Sequence, residues 1–220
     1  MTGHPQQLVL VRHGETVGQS SIRLYGSTDV ALAPEGEAQL AATGRSLAGR
    51  RFDAVFTSPL CRARRSAEVM LESLGHPSIA IEEVPGFREI DFGAWEGWTW
   101  DEVRERDPEN HARWAREGAS FCFPGGEVRA EFVERVQLAT GPTIEARFAA
   151  GAGAILAVVH KGVIKAIAAR MLGRPVLELA GFDLPLGAVR FLRRQDGLWT
   201  VDQTQIETFE PVHRSPTERS

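Results

Sequence analysis

Residues 8–16 read Leu-Val-Leu-Val-Arg-His-Gly-Glu-Thr, and this stretch decides the fold class. Its first four residues are all apolar, a pattern that predicts a short strand buried on both faces of a sheet. Arg12 and His13 follow that strand directly. Because ligands bind outside the carboxyl ends of the strands in open parallel sheets, these two side chains lie where a binding site is expected.

Segments of strand and helix character alternate along the rest of the chain. Short apolar runs predict strands over 53–57, 79–84 and 154–159, and a terminal hairpin formed by 188–192 and 198–201. Helical spacing predicts helices over 34–48, 61–74, 101–117 with an interruption near Pro108, 127–150 with a kink or split at Gly141-Pro142, and 162–172. The alternation predicts an α/β fold, a three-layer α/β/α sandwich with a mostly parallel central sheet.

The domain organisation is expected to be simple, because the sequence contains no internal repeat, no low-complexity tract and no linker. We expect one domain over 1–220. Within it, the aromatic-rich and charged segment at about 87–126 is expected to form a small inserted cap. The polar segment at about 210–220 is expected to be a loose tail.

Composition restricts the partners. The chain has 220 residues and a formal net charge of −4, whereas a general nucleic-acid binder is normally basic. No apolar run approaches the roughly 20 residues that cross a bilayer, and the polar start lacks the order of a secretory signal. Two cysteines are too few for a disulfide framework. We therefore expect a cytoplasmic protein, a monomer or homodimer, with neither nucleic acid nor membrane as a partner.

Three polar motifs follow three of the predicted strands: Arg12-His13, the 58–62 segment that ends in Arg62, and His160. Since the carboxyl ends of parallel strands meet at one edge of the sheet, two arginines and two histidines are expected to converge there. Guanidinium groups bind phosphate through paired, charge-assisted hydrogen bonds. The motifs therefore predict a pocket for an oxyanion with several negative charges.

A histidine in such a pocket either holds the phosphate as a cation or attacks phosphorus as a neutral imidazole. Gly14 lets the backbone approach the His13 ring without a Cβ in between. An alkoxide leaves poorly without a proton, and Glu89 is the candidate acid. Two structural alternatives stay open at this point: a strand-end pair of Arg12 with His13, and a surface ion pair of Glu89 with Arg88.

The motifs together resemble the histidine phosphatase superfamily, in its phosphoglycerate-mutase-like branch. The resemblance covers residues 8 to about 172 in family order. It is carried by Leu10-Val11-Arg12-His13-Gly14-Glu15-Thr16, Ser58-Pro59-Leu60-Cys61-Arg62-Ala63, Phe87-Arg88-Glu89 with Phe92-Gly93-Ala94-Trp95-Glu96-Gly97, and Val159-His160-Lys161-Gly162-Val163-Ile164. Tyr25-Gly26-Ser27-Thr28-Asp29, with Leu32 and Gly36, is similar to the α-ribazole phosphatase subgroup.

The resemblance implies a division of labour in a metal-free and cofactor-free enzyme. His13 would carry the phosphoryl group, and Glu89 would protonate the leaving oxygen and then activate water. Arg12, Arg62 and His160 would bind the phosphoryl oxygens.

Further substrate contacts are expected from Gln19, Tyr25, Gly26 and Lys161. Two of these positions depart from the family pattern. Gln19 stands where many members have an asparagine, and Lys161 stands where a glycine is common.

Three functions compete. The first is hydrolysis of a small-molecule phosphate ester through a phosphohistidine. The second is a phosphoglycerate-mutase-type phosphotransferase, but residues 90–97 look like the phosphatase branch rather than the mutase substrate loop. The third is a non-catalytic phosphate-binding module, which would be expected to lack one of the catalytic residues. Because all five are present, the sequence favours the phosphatase.

Overall fold

The computed structural model describes residues 6–203, with the backbone alone at Ala180, and contains a mixed six-stranded sheet. The strand order is β3-β2-β4-β1-β5-β6; the first four strands run parallel, and β5 and β6 are antiparallel to their neighbours. The strands are β1 (Gln6–Arg12), β2 (Ala54–Thr57), β3 (Ile81–Glu83), β4 (Ala154–Val159), β5 (Val189–Gln195) and β6 (Leu198–Val201). The predicted α/β class is confirmed; the predicted tail at 210–220 lies outside the described residues.

Helices cover both faces of the sheet. The helices are α1 (Pro34–Ser46), α2 (Cys61–Leu74), α3 (Trp100–Arg106), α4 (Pro108–Glu117), α5 (Arg129–Thr140), α6 (Ala146–Ala149) and α7 (Lys161–Leu172). Between residues 6 and 203, none of them is long and apolar enough to cross a bilayer.

The continuous apolar run of β1 is explained by two separate cores. Leu8 and Leu10 belong to the cluster that α5, α6 and α7 contribute to, whereas Val9 and Val11 belong to the cluster formed with α1 and α2. All four residues are fully buried. Successive side chains of a strand point to opposite faces, so only a strand covered on both faces needs an apolar residue at every position.

Most predicted boundaries are confirmed, and the differences have physical reasons. Helix α2 has its predicted bounds and ends at Gly75, which is in the left-handed conformation that glycine tolerates. The predicted break at Gly141-Pro142 is a π-helical turn, Gly141–Glu145, between α5 and α6. The third strand is shorter than predicted because β3 pairs with β2 only over three residues. Helix α5 begins at Arg129 because Val128 forms a β-bridge with Cys122.

Close contact between α1 and α2 generates a stability prediction. A Cβ at Gly44 of α1 would lie 2.5 Å from the Met70 carbonyl oxygen of α2. Glycine to alanine in a helix normally stabilises by about 1 kcal/mol, but here overpacking against backbone should reverse the sign. We expect Gly44→Ala to lower the free energy of unfolding in urea by about 1–3 kcal/mol. Gly181→Ala, where a Cβ meets nothing within 4 Å, is the control and should leave stability within about 0.5 kcal/mol; equal effects would contradict the packing argument.

Candidate active site

His13 and His160 are brought together by the pairing of β1 with β4. Arg12 pairs with Val159 in the parallel ladder, so each histidine is the next residue along its own strand. The His13 N–H donates to the Val159 carbonyl at 2.9 Å, which extends the ladder by one bond. The ring centroids lie 5.0 Å apart at an interplanar angle of 65°, and the two residues are 4% and 0% exposed. The predicted convergence of these two residues is therefore present.

The tautomer of His13 follows from a backbone contact. Nδ1 lies 2.8 Å from the Gly14 carbonyl oxygen, which can only accept, so Nδ1 carries the proton and Nε2 keeps its lone pair. Burial lowers the pKa of His13 well below 6.5, and the charges of Arg62 and Arg12 lower it further against the opposing effect of the Gly14 contact. His13 is therefore a neutral imidazole at neutral pH, with its unshared electron pair on Nε2.

Arg62 is fully buried and fixed by three carbonyl oxygens. Its Nη1 donates to Thr28 at 2.8 Å, and its Nη2 donates to Gly26 at 2.7 Å and Tyr25 at 3.2 Å. Arg12 Nη1 donates to the Leu184 carbonyl at 2.9 Å. These bonds orient both guanidinium groups without neutralising them, because carbonyl oxygens carry no formal charge.

Several buried nitrogen atoms in this cluster have no hydrogen-bond partner among the described residues: Nε of Arg12, Nε of Arg62 and both ring nitrogens of His160. A buried donor without an acceptor costs about 1–3 kcal/mol, so such atoms are rare and often mark a functional site. Burial, with the charges of Arg62, His13 and Arg12, lowers the pKa of His160 well below 6.5. A neutral His160 has one N–H donor, and together with the two arginine Nε–H groups it forms a nest of donors suited to a multiply charged oxyanion.

Glu89 faces the same cluster. It is 8% exposed; its Oε1 accepts from the Ile90 N–H at 3.1 Å and its Oε2 from the Gly162 N–H at 3.0 Å. A Cβ at residue 162 would lie 2.5 Å from Glu89 Oε1, so glycine is needed there for the close approach. Glu89 is thus held at the start of α7, two residues from His160, instead of in a surface ion pair with Arg88.

The loop that holds Arg62 is itself organised by Glu96, a residue that the sequence did not single out. The Glu96 carboxylate accepts from the backbone N–H groups of Gly26 at 3.0 Å, Ser27 at 3.0 Å, Thr28 at 3.4 Å and Phe92 at 3.0 Å. Four N–H donors on one carboxylate turn the loop so that its carbonyl oxygens face the Arg62 guanidinium. No spacing rule predicts this contact, because its partners are backbone groups.

Ser66 connects the two halves of the site. Its Oγ donates to the Arg62 carbonyl at 2.7 Å and accepts from the Gly14 N–H at 3.2 Å. Gly14 in turn provides the carbonyl that fixes the His13 tautomer. One hydroxyl therefore links the start of α2 to the loop after β1.

A cavity of about 480 Å³ opens in front of these residues. Of the sequence-predicted residues, it is lined by Arg12, His13, Tyr25, Glu89 and Lys161. Arg62 and His160 are fully buried beside His13, and Gly26 is buried with its carbonyl bound to Arg62. Gln19 is exposed and does not line the cavity.

Lys161 and Tyr25 line the cavity as expected, whereas other lining residues were not named individually as substrate contacts from the sequence. Burial and the Arg12 charge lower the pKa of Lys161. These further lining residues come from distant segments and include Arg23, Trp100, Trp114, Arg129, Phe132, Lys165 and Asp183.

The described residues contain no group of three or more histidine, cysteine, aspartate or glutamate side chains placed to hold a metal ion. The expectation of a metal-free enzyme remains a prediction.

Comparison with known proteins identifies relatives over most of the chain. The model of the histidine phosphatase superfamily (branch 1) matches residues 8–207. PhoE, an uncharacterized phosphatase of Bacillus subtilis, is 32% identical over 183 residues, covering 83% of this chain and 82% of PhoE. A 2,3-bisphosphoglycerate-dependent phosphoglycerate mutase of a Methylobacterium species is 32% identical over 201 residues, covering 90% of this chain and 96% of the mutase.

A bifunctional protein of Mycobacterium tuberculosis is 38% identical over 136 residues. That match covers 61% of this chain and only 36% of the relative, so the chain spans about a third of that relative's length.

Solved structures agree with these matches. The α-ribazole phosphatase of Shigella flexneri superimposes with a TM-score of 0.77 at 25% identity, covering 90% of this chain and 95% of that one. A mycobacterial glucosyl-3-phosphoglycerate phosphatase superimposes with a TM-score of 0.73 at 26% identity, covering 90% and 97%.

The role of Glu96 can be tested by Glu96→Gln. The amide replaces one acceptor oxygen with a donor that would face backbone N–H groups, so at least one buried donor loses its partner. We expect the free energy of unfolding to fall by about 1–3 kcal/mol. Orthovanadate binding, followed by isothermal titration calorimetry, should weaken as well, because Arg62 loses its fixed acceptors. Glu109→Gln, on the exposed side of α4, is the control; equal losses in the two variants would contradict the organising role.

The two buried histidines predict acid sensitivity. In the folded protein their pKa values lie well below 6.5, so the unfolded chain binds more protons once the pH falls below about 6.5. Stability should therefore be lost as the pH falls from about 6.5 to 5, by up to about 1.4 kcal/mol per pH unit for each histidine. The check is the free energy of unfolding in urea, measured across this pH range. It should fall less steeply in His160→Asn than in wild type, and as steeply as in wild type in His76→Asn, a variant outside the cavity. The same slope in all three would refute this assignment.

Proposed function

Since the chain belongs to the histidine phosphatase superfamily, branch 1, we propose that it hydrolyses a small-molecule phosphomonoester through a phosphohistidine on His13. One observation carries the proposal: His13 is held with a proton on Nδ1 and a lone pair on Nε2, inside a cluster of buried cationic donors. A neutral imidazole with a fixed tautomer is the form that attacks phosphorus.

In the first step, His13 Nε2 forms a bond to phosphorus while the bond from phosphorus to the ester oxygen breaks. Protonated Glu89 gives its proton to that oxygen, so an alcohol leaves instead of an alkoxide. Arg12, Arg62 and His160 bind the three phosphoryl oxygens, whose charge is spread over them in the transition state. The unpartnered donors of these residues support this role, because each would gain an acceptor.

In the second step, Glu89, now a carboxylate, takes a proton from water, and the water oxygen attacks phosphorus as the bond to His13 Nε2 breaks. Inorganic phosphate leaves, and both His13 and Glu89 return to their starting protonation states. The cationic side chains neutralise the phosphate by themselves, which supports catalysis without a metal ion.

A second candidate is transfer of the phosphoryl group to another substrate hydroxyl, as in a phosphoglycerate mutase. The 32% identity to the Methylobacterium mutase over 90% of the chain supports it. The two functions share the first step and differ in whether water or a substrate hydroxyl accepts the phosphoryl group.

The test is hydrolysis of p-nitrophenyl phosphate in excess EDTA by wild type, His13→Ala and the control His76→Ala. We expect wild type and His76→Ala to be active and His13→Ala to lose at least about 1000-fold in kcat, because removing a nucleophile removes the covalent route. Wild-type activity that EDTA abolishes would contradict metal independence. Equal rates in wild type and His13→Ala would refute the phosphohistidine.

The same preparations separate phosphatase from mutase. A phosphatase releases inorganic phosphate from substrate alone, whereas a mutase isomerises phosphoglycerate and depends on a bisphosphate primer. Isomerisation faster than phosphate release would decide for the mutase.

A further inference from the structure

The cavity is larger than the phosphoryl site requires. His13, Arg12 and Glu89 line one part of its volume of about 480 Å³, and the remainder extends between α4, α5 and the loop at 20–25. That remainder is where the alcohol part of a substrate would lie if the proposed function is correct. Its lining therefore carries information about the substrate class.

The extended part has an aromatic wall. Trp100 and Trp114 lie with ring centroids 4.7 Å apart, and both line the cavity together with Phe132. Trp100 remains 37% exposed although it is a large apolar side chain. Flat faces of this kind favour a flat apolar group by stacking and area burial.

Charge in the cavity is unbalanced. Two lining carboxylates, Glu89 and Asp183, stand against five lining cations, Arg12, Arg23, Lys161, Lys165 and Arg129. Arg23 is paired with Glu102 at 3.0 Å, and Lys165 is paired with Asp183 at 2.7 Å. Arg12 and Lys161 flank the two histidines and belong to the phosphoryl end.

Arg129, the fifth cation, neither pairs with a described carboxylate nor belongs to the phosphoryl end. No carboxylate between residues 6 and 203 forms an ion pair with it; its Nη1 donates to the Gly118 carbonyl at 2.9 Å, and its guanidinium lies 5.6 Å from the Trp114 ring centroid. It is half-buried, and burial lowers its pKa with no carboxylate opposing the effect. An arginine keeps its charge under these conditions, so the extended part of the cavity holds an uncompensated cation.

Arg129 also lies at a defined place relative to the reaction centre. It precedes Phe132 by three positions on α5, and residues three apart lie on the same side of a helix. Phe132 borders the catalytic groups, since a Cβ at Gly162 would lie 3.0 Å from Phe132 Cζ and 2.5 Å from Glu89 Oε1. Arg129 is therefore about one helical turn, roughly 5 Å, beyond the residue that borders Glu89.

From these contacts we propose that Arg129 forms a second anion subsite, and that the substrate is a phosphomonoester whose flat apolar body carries a further anionic group. The proposal rests on the proposed function of the same cavity. Its phosphoryl group binds at His13, its body lies along Trp100, Trp114 and Phe132, and its second anion binds the Arg129 guanidinium, which matches oxyanions in a bidentate manner.

The test uses binding, so that it does not depend on turnover. 4-Carboxybenzylphosphonate and 4-carbamoylbenzylphosphonate share a phosphonate that cannot be hydrolysed and differ only in the charge of the distal group. A second pair, the biphenyl analogues with two rings, tests a longer distance between the phosphonate and the distal group. Isothermal titration calorimetry gives the ratio of carboxamide to carboxylate Kd for wild type, Arg129→Gln, Arg129→Lys and Arg190→Gln.

Arg190 is the matched control. It is also half-buried, has no ion-pair partner between residues 6 and 203, and lies 5.6 Å from the ring centroid of Phe182, but it does not line the cavity. Glutamine at 129 keeps a donor for the Gly118 carbonyl and removes the charge.

We expect wild type and Arg190→Gln to prefer the carboxylate about tenfold in at least one pair, and Arg129→Gln to reduce that ratio to twofold or less. Arg129→Lys should keep most of the preference. No preference in wild type for either pair, or a ratio that survives in Arg129→Gln even with both affinities reduced, overturns the subsite. Should Arg129→Gln fail to fold, Arg129→Met, which also removes the charge, takes its place: a ratio of twofold or less supports the subsite, and a preserved ratio overturns it.

Hydrolysis of p-nitrophenyl phosphate in the same preparations keeps the two proposals apart. Turnover without carboxylate preference overturns the subsite and leaves the phosphatase standing. Carboxylate preference without turnover of p-nitrophenyl phosphate supports the subsite and counts against the proposed hydrolysis.

Discussion

The parallel pairing of β1 with β4 is the constraint on which the site depends. The register that aligns Arg12 with Val159 makes His13 and His160 neighbours, although they are far apart in sequence. A slip of one residue would turn every side chain of β1 to the opposite face. Leu8 and Val9 contribute to different cores, but both faces are equally apolar. The cost of such a slip would therefore arise at the end of the strand, where Arg12 and His13 would turn away from the site and into the opposite face.

Without a bound anion, the candidate site lowers the stability of the folded protein. Two arginines and two histidines converge, and burial together with their mutual repulsion lowers the pKa of both histidines. The fold limits this cost by two means. Carbonyl oxygens of Tyr25, Gly26 and Thr28 hold Arg62, and one carboxylate, Glu96, fixes the loop that presents them. Donors left without partners are the remaining cost, and an oxyanion would remove it.

Much of this arrangement could be predicted from the sequence, because it depends on local patterns. The apolar run of β1, the helical spacing and terminal glycine of α2, and the motifs after three strands all act over a few residues. The roles of Glu96 and Ser66 were not predicted, because each residue reaches backbone N–H groups of a distant loop, those of residues 26–28 for Glu96 and that of Gly14 for Ser66. No residue spacing specifies such contacts. Gln19 was expected at the substrate by family pattern, but its loop turns through a positive φ of 64° and leaves the side chain exposed.

The groups placed by local patterns bear on the type of reaction, whereas the groups placed by distant loops bear on the choice of substrate. Strand ends and helix starts position the arginine and histidine side chains of the candidate site. The fold that supplies these strand and helix ends is shared with proteins named as an α-ribazole phosphatase and a glucosyl-3-phosphoglycerate phosphatase, at about a quarter identity. The walls of the remaining cavity include loop 20–25, the start of α3, α4 and the first turn of α5. Loops and helix ends change without loss of the core. No carboxylate between residues 6 and 203 matches the charge of Arg129 there; its neighbours are the Gly118 carbonyl and the Trp114 ring. Its charge therefore carries more information about the substrate than the nest around His13, which would bind any phosphoryl group.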